Sequence, residues 1–201
     1  HPYGIIKKMQ YALKKLTEDF MNKTLKTIQI FAKIGKVIST IVFIFSIIGA
    51  VITLIALSAL IGLKDIQLEG KTFVALLEES GLNFVTAIFS LAVAFISCIG
   101  SAVVSKFAEI YFSNELELGT PFTFDGAKEL LRLGIIASAV PVGLSTITGI
   151  ALIITKLFQP TLDESMISNE PISIGIGIML IILSFICKHG AEIADELQEA
   201  K

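Results

Sequence analysis

The fold class this sequence predicts is all-α: a four-helix transmembrane bundle with an amphipathic N-terminal helix and a cytoplasmic C-terminal helical extension. Two observations predict it. The 201 residues are 54% hydrophobic and only 17% charged, with a mean hydropathy of +0.81, which is too apolar for a water-soluble domain. The apolar residues also collect into long charge-free runs instead of alternating with polar ones. Sixteen basic and eighteen acidic residues leave a net charge of −2, so there is no bulk basic field for neutralising phosphates, and direct nucleic-acid binding is excluded first.

Counting between charges gives four spans, Val37–Leu63, Ser80–Ser105, Leu133–Thr155 and Pro171–Cys187, of 27, 26, 23 and 17 residues. About 20 helical residues cross a hydrocarbon core. The first three runs suffice, and the fourth is completed by Lys188 snorkelling to the interface. The first run exceeds a signal-peptide core and has no small-residue cleavage site after it, so it reads as a retained helix. The chain thereby divides into a basic segment 1–36, a membrane domain 37–187 and an acidic tail 188–201.

Basic residues set the orientation. Eight lysines (Lys7, Lys8, Lys14, Lys15, Lys23, Lys26, Lys33 and Lys36) precede the first span. The second loop adds Lys106, Lys128 and Arg132, and the tail adds Lys188 and Lys201, whereas the other two loops hold only Lys64, Lys71 and Lys156. With both termini in the cytoplasm, thirteen basic residues lie inside and three outside, as the positive-inside rule requires. Cys98 and Cys187 fall inside apolar runs and read as small buried hydrophobes, not as disulfide partners.

In the first segment Ile5, Met9, Leu13, Leu16 and Phe20 recur at helical intervals with lysines between them. Such a helix can lie on the inner leaflet, held by its stripe and its charges. The same stripe would serve a helix packed on the rest of the protein, and Met21 offers an alternative start. In the second loop Pro121 disfavours helix at Thr120, Thr123 can cap the next turn, and Asp125 suits the positive end of the helix dipole. Beyond the fourth span, Glu192, Asp195, Glu196 and Glu199 give an acidic helical extension, read first as a solvated face and second as a partner for the basic N-terminal segment.

No span carries an ionisable residue in its interior, which argues against an ion-coupled pump, although uncharged polar residues can still line a pore. Small residues recur at intervals of four, with Ser97, Ser101 and Ser105 in the second span and Ala139 with Gly143 in the third. They are assigned to helix packing, first within one bundle and second in a homo-oligomer. Pro141 interrupts the hydrogen-bond ladder of the third helix at Ala137. No phosphate loop, nucleophile with a convergent base, or metal-ligand set is present, and His189 with Glu192 is weak evidence for anything. Hence no catalytic residue, metal or cofactor is assigned.

Two stretches, Gly119-Thr120-Pro121-Phe122-Thr123 running on through Ala127 and Leu131-Arg132-Leu133-Gly134, and His189-Gly190-Ala191-Glu192 with Glu196-Leu197-Gln198-Glu199, resemble a family of small, largely uncharacterised bacterial four-span membrane proteins. With the span order, the likeness covers about residues 21 to 201. This chain departs from the family pattern in its basic segment before Met21 and in stopping at Lys201. The resemblance implies a bacterial cytoplasmic membrane protein, and some members look like partners of helix-turn-helix regulators, which implies sequestration or signalling. In that reading Gly119, Pro121, Phe122, Gly190, Glu192, Leu197 and Gln198 form a face for a cytoplasmic protein partner. The leading expectation is a non-enzymatic regulatory role. The alternatives are a pore or transporter subunit and an immunity protein against a membrane-active peptide.

Overall fold

The computed structural model describes residues 2–68, 70–81, 83–158 and 171–199, with side chains described at Lys15 and over 23–67, 70–81, 83–157 and 174–196. Among them are helices α1 (Pro2–Leu63), α2 (Phe73–Glu79), α3 (Phe84–Leu118), α4 (Phe124–Phe158) and α5 (Pro171–Glu199), with a two-residue hairpin, β1 (Gln67–Leu68) and β2 (Lys71–Thr72), between α1 and α2. Four of the helices are long and apolar enough to cross a bilayer. The all-α fold and its membrane character are therefore as the sequence predicts.

Length is the first surprise. α1 runs unbroken for 62 residues, about 93 Å at 1.5 Å per residue. The boundary drawn at residue 36 is thus not an element boundary: the basic segment and the first span are one helix. No glycine or proline breaks the chain between them, apart from Gly35, and that residue sits against the Phe112 ring, where a Cβ would come within 2.6 Å of Cζ. α3 lies along α1 there and supports the helix through the junction. The amphipathic stripe from Ile5 to Phe20 lies on α1, but its side chains fall outside the described residues.

The second span begins later than the charge count predicts. Ser80 ends α2, Gly81 follows at φ 86°, and Asn83 caps α3 by accepting from the Val85 and Thr86 amides. Capping chemistry, to which a hydropathy count is blind, fixes this start at Phe84. Before it, Thr72 caps α2, and Lys71 pairs with Glu79 at 2.7 Å. These elements form the hairpin end of the bundle.

The helices neighbour one another in the order α1, α3, α4, α5. Two apolar clusters tie α3, α4 and α5. Phe89 and Leu152 pack near the hairpin end, and Tyr111, Ala127, Leu130, Leu133 and Cys187 pack near the opposite, turn end. Both cysteines are free, and Cys98 lies against Gly49 of α1. Between α4 and α5 the backbones nearly touch. A Cβ on Gly134 would meet the Ile181 amide nitrogen at 2.9 Å, and one on Gly177 would meet the Gly134 carbonyl oxygen at 2.9 Å and the Ser138 side chain closer still. Close approach of this kind is what small residues supply to helices in lipid, where burial drives no association.

The helix-packing assignment changes accordingly. Ala139 and Gly143 are exposed on the outer surface of α4, and a Cβ at Gly143 would have nothing within 4 Å, so among the described residues they sit at no close helix contact. The close contact of α4 with α5 is made at Gly134, Ser138 and Gly177 instead. Substituting leucine at Gly177 should lower stability by about 1–3 kcal/mol, the cost of overpacking a closed contact. Leucine at Gly143 should leave the thermal midpoint in detergent unchanged, and thermal unfolding of both variants checks the contrast.

Candidate functional site

The turn end is built from a short connection with specific chemistry. α3 stops because Gly119 takes φ 75°, a left-handed conformation that costs glycine little, and its N–H donates to the Glu115 carbonyl. Thr120 Oγ1 accepts from the Phe122 amide at 3.2 Å, and Thr123 Oγ1 accepts from the Gly126 amide at 3.0 Å. Thr123 thereby opens α4, with Asp125 in its first turn. The turn and capping features predicted at Pro121, Thr123 and Asp125 are all present.

Two distant parts of the chain converge on this turn. Gln29 of α1 donates from Nε2 to the Gly119 carbonyl at 3.4 Å. Phe122 lies over Gly190 of α5, whose Cβ position is 2.8 Å from Phe122 Cδ1. A cavity of about 590 Å³ opens between them, its wall including Thr24 and Leu25 from α1, Phe122 and Phe124 from the turn, and Ala191 and Asp195 from α5. Phe122 and Phe124 remain largely exposed.

Of the residues assigned to a partner face, Gly119, Pro121, Phe122 and Gly190 are therefore brought together. Gly119 and Gly190 have internal roles there, as helix terminus and as seat for the Phe122 ring. Glu192 stands on the same helix one turn beyond Lys188 and pairs locally, with Lys188 at 3.8 Å and His189 Nδ1 at 3.4 Å. Exposed pairs of that kind contribute little to stability. Leu197 and Gln198 are on α5, with side chains outside the described residues.

Behind the turn lies a polar layer that the sequence reading missed. Tyr111 and Glu115 are buried on successive turns of α3. Asn114 Nδ2 donates to Glu129 Oε1 on α4 at 2.6 Å, while Glu129 Oε2 is enclosed with no partner among the described residues. Arg132 stacks its guanidinium 4.8 Å from the Phe107 ring centre, and Lys36 of α1 donates to Ser113 Oγ at 3.0 Å. Continuing the helical period of the second span past Lys106 would have found Tyr111 and Glu115, four residues apart on the buried face.

Ser97 and Ser101 have a different setting from the one assigned. With Gly100, Ser105 and Pro141 they line a cavity of about 450 Å³ at mid-bundle, to which Val42 of α1 and Ile176 of α5 also contribute. Small side chains leave this space because the flanking clusters already hold the helices apart. Comparison with protein-family models, curated proteins and solved structures gives no match.

Removing the Asn114 amide leaves Glu129 without its donor among the described residues. Asn114→Leu should therefore cost about 1–3 kcal/mol, the penalty for an unmade buried hydrogen bond. Adding Glu129→Leu should recover most of the loss, and a double-mutant cycle on thermal midpoints measures the coupling.

Proposed function

We propose that this protein is a non-enzymatic, multi-pass protein of a bacterial cytoplasmic membrane that acts by docking a soluble protein at its turn end. The observation that carries this reading is the convergence, on one end of the bundle, of the 119–123 turn, the Gly190 region of α5 and the Thr24 region of α1 around an apolar, partly open cavity. Charge supports it. The excess of basic residues in the terminal segments and the 106–132 region supports an orientation with this end and both termini on the cytoplasmic side. Exposed aromatics such as Phe122 and Phe124 beside charged α5 resemble the anchor-and-rim pattern of protein interfaces. The resemblance to four-span bacterial membrane proteins makes a helix-turn-helix transcription regulator the first class of partner to test.

The test is capture from the native host in mild detergent with the full chain as bait. A soluble partner should be retained by the wild type and reduced about tenfold or more by Phe122→Asp, the scale of a lost hot-spot anchor. Equal capture by both, or no specific partner, would overturn the reading.

A second reading is favoured by the mid-bundle cavity: passage of an uncharged solute along Ser97, Ser101 and Ser105 past Pro141. Liposome flux separates the two. Solute movement abolished by Ser101→Leu would support transport, and no flux above empty liposomes would leave docking as the account.

A further inference from the structure

A groove opens on one side of the bundle. It lies between α3 and α4 at the turn end, on the side of Asn114 and Glu117, and encloses about 880 Å³. Its chemistry changes along its length. At the level of Asp125, Lys128, Glu129 and Arg132 the wall is charged with both signs; one turn deeper, toward mid-bundle, Ile135 and Ile136 make it apolar.

Each part of the groove restricts the occupant. The apolar end adjoins the outward surface of α4, where Ile135 and Val142 are exposed, so an acyl chain can leave the groove directly into hydrocarbon. Lys128 and Arg132 supply donors for a phosphate at the depth where headgroups lie. They are opposed in the same wall by Glu117, Asp125 and Glu129, which disfavours a purely anionic headgroup. Glu129 also has an oxygen without a donor among the described residues, its other oxygen being held by Asn114. An ammonium beside Glu129 supplies that donor once the carboxylate turns toward the groove.

We propose that this groove is a binding site for a zwitterionic phospholipid whose headgroup carries a primary ammonium, of the phosphatidylethanolamine type. The phosphate lies against Lys128 and Arg132, the ammonium against Glu129, and one acyl chain against Ile135 and Ile136. A choline headgroup has the same charge but no N–H to donate, and a glycerol headgroup has no cation, so both bind more weakly. The site depends on bilayer residence alone and stands whether or not the turn end docks a protein.

The full-length protein in detergent, examined by native mass spectrometry with ethanolamine, choline and glycerol phospholipids of identical acyl chains, tests it. Retention of the ethanolamine lipid should exceed the other two by about tenfold, the scale of one charge-assisted hydrogen bond. Arg132→Gln should weaken retention of the ethanolamine and glycerol lipids alike. Glu129→Gln should remove the preference for ethanolamine over glycerol, while Lys71→Gln at the hairpin end should change nothing. Soluble glycerophosphoethanolamine should fail to compete, which separates a lipid site from a site for the free headgroup. Equal retention of all three lipids, a preference for the glycerol lipid in the wild type, or an ethanolamine preference that survives Glu129→Gln in a protein with an unchanged thermal midpoint would overturn the proposal. So would effective competition by the soluble headgroup.

Discussion

Hydrocarbon is the medium in which these helices must be stable, and that constraint orders the rest. Large apolar side chains point outward: Phe45 is 69% exposed, Met179 70% and Leu157 79%. The most enclosed positions are instead taken largely by small residues, among them Ala32, Ala102, Ser184 and Ala191. In water such a surface would be a large aggregation-prone patch. In lipid it costs nothing, because leucine against an acyl chain is as well placed as leucine against leucine. Cohesion then has to come from close contact and from polar bonds. The Gly134–Gly177 approach and the Gly35–Phe112 contact supply the first; the Asn114–Glu129 and Lys36–Ser113 bonds supply the second, where the helices leave the apolar zone.

Polar side chains within the spans follow the same constraint. Thr40, Thr53, Ser90, Ser138, Thr148 and Thr155 each donate their hydroxyl to the carbonyl four residues earlier. A donor bonded to its own helix needs no partner from a neighbour and no water. Such residues can face lipid, a cavity or another helix without penalty. Ionisable groups gather instead toward the helix ends, and a buried polar layer, Tyr111 with Glu115 and Asn114 with Glu129, sits under the turn.

What the sequence made legible follows from which physical signals are local. Charge-free runs revealed the four membrane helices, and the Thr123 cap was readable because its hydrogen bond spans three residues. The start of α3 at Phe84 was misplaced because Gly81 and Asn83 act through backbone conformation and capping, which hydropathy ignores. The continuity of α1 was hidden because a run of lysines resembles a boundary, although lysine is a good helix former. Spacing marked Ala139–Gly143, yet Gly134 and Ser138 are equally four apart and it is they that face a neighbour, which only tertiary packing decides. The convergence of Phe122 on Gly190 links positions 68 residues apart, and no local pattern encodes it. Glu129 was passed over for the same reason: its meaning depends on Asn114, on another helix.

The central claim is that lipid, not water, surrounds this bundle. Nitroxide labels placed singly at positions 45, 153, 179 and 185 in the reconstituted protein test it through their collision rates with oxygen and with a water-soluble nickel chelate. High oxygen accessibility with little nickel accessibility at all four positions is the result the account predicts. Strong nickel accessibility at these positions, with oxygen no higher than at Asp65, would contradict it.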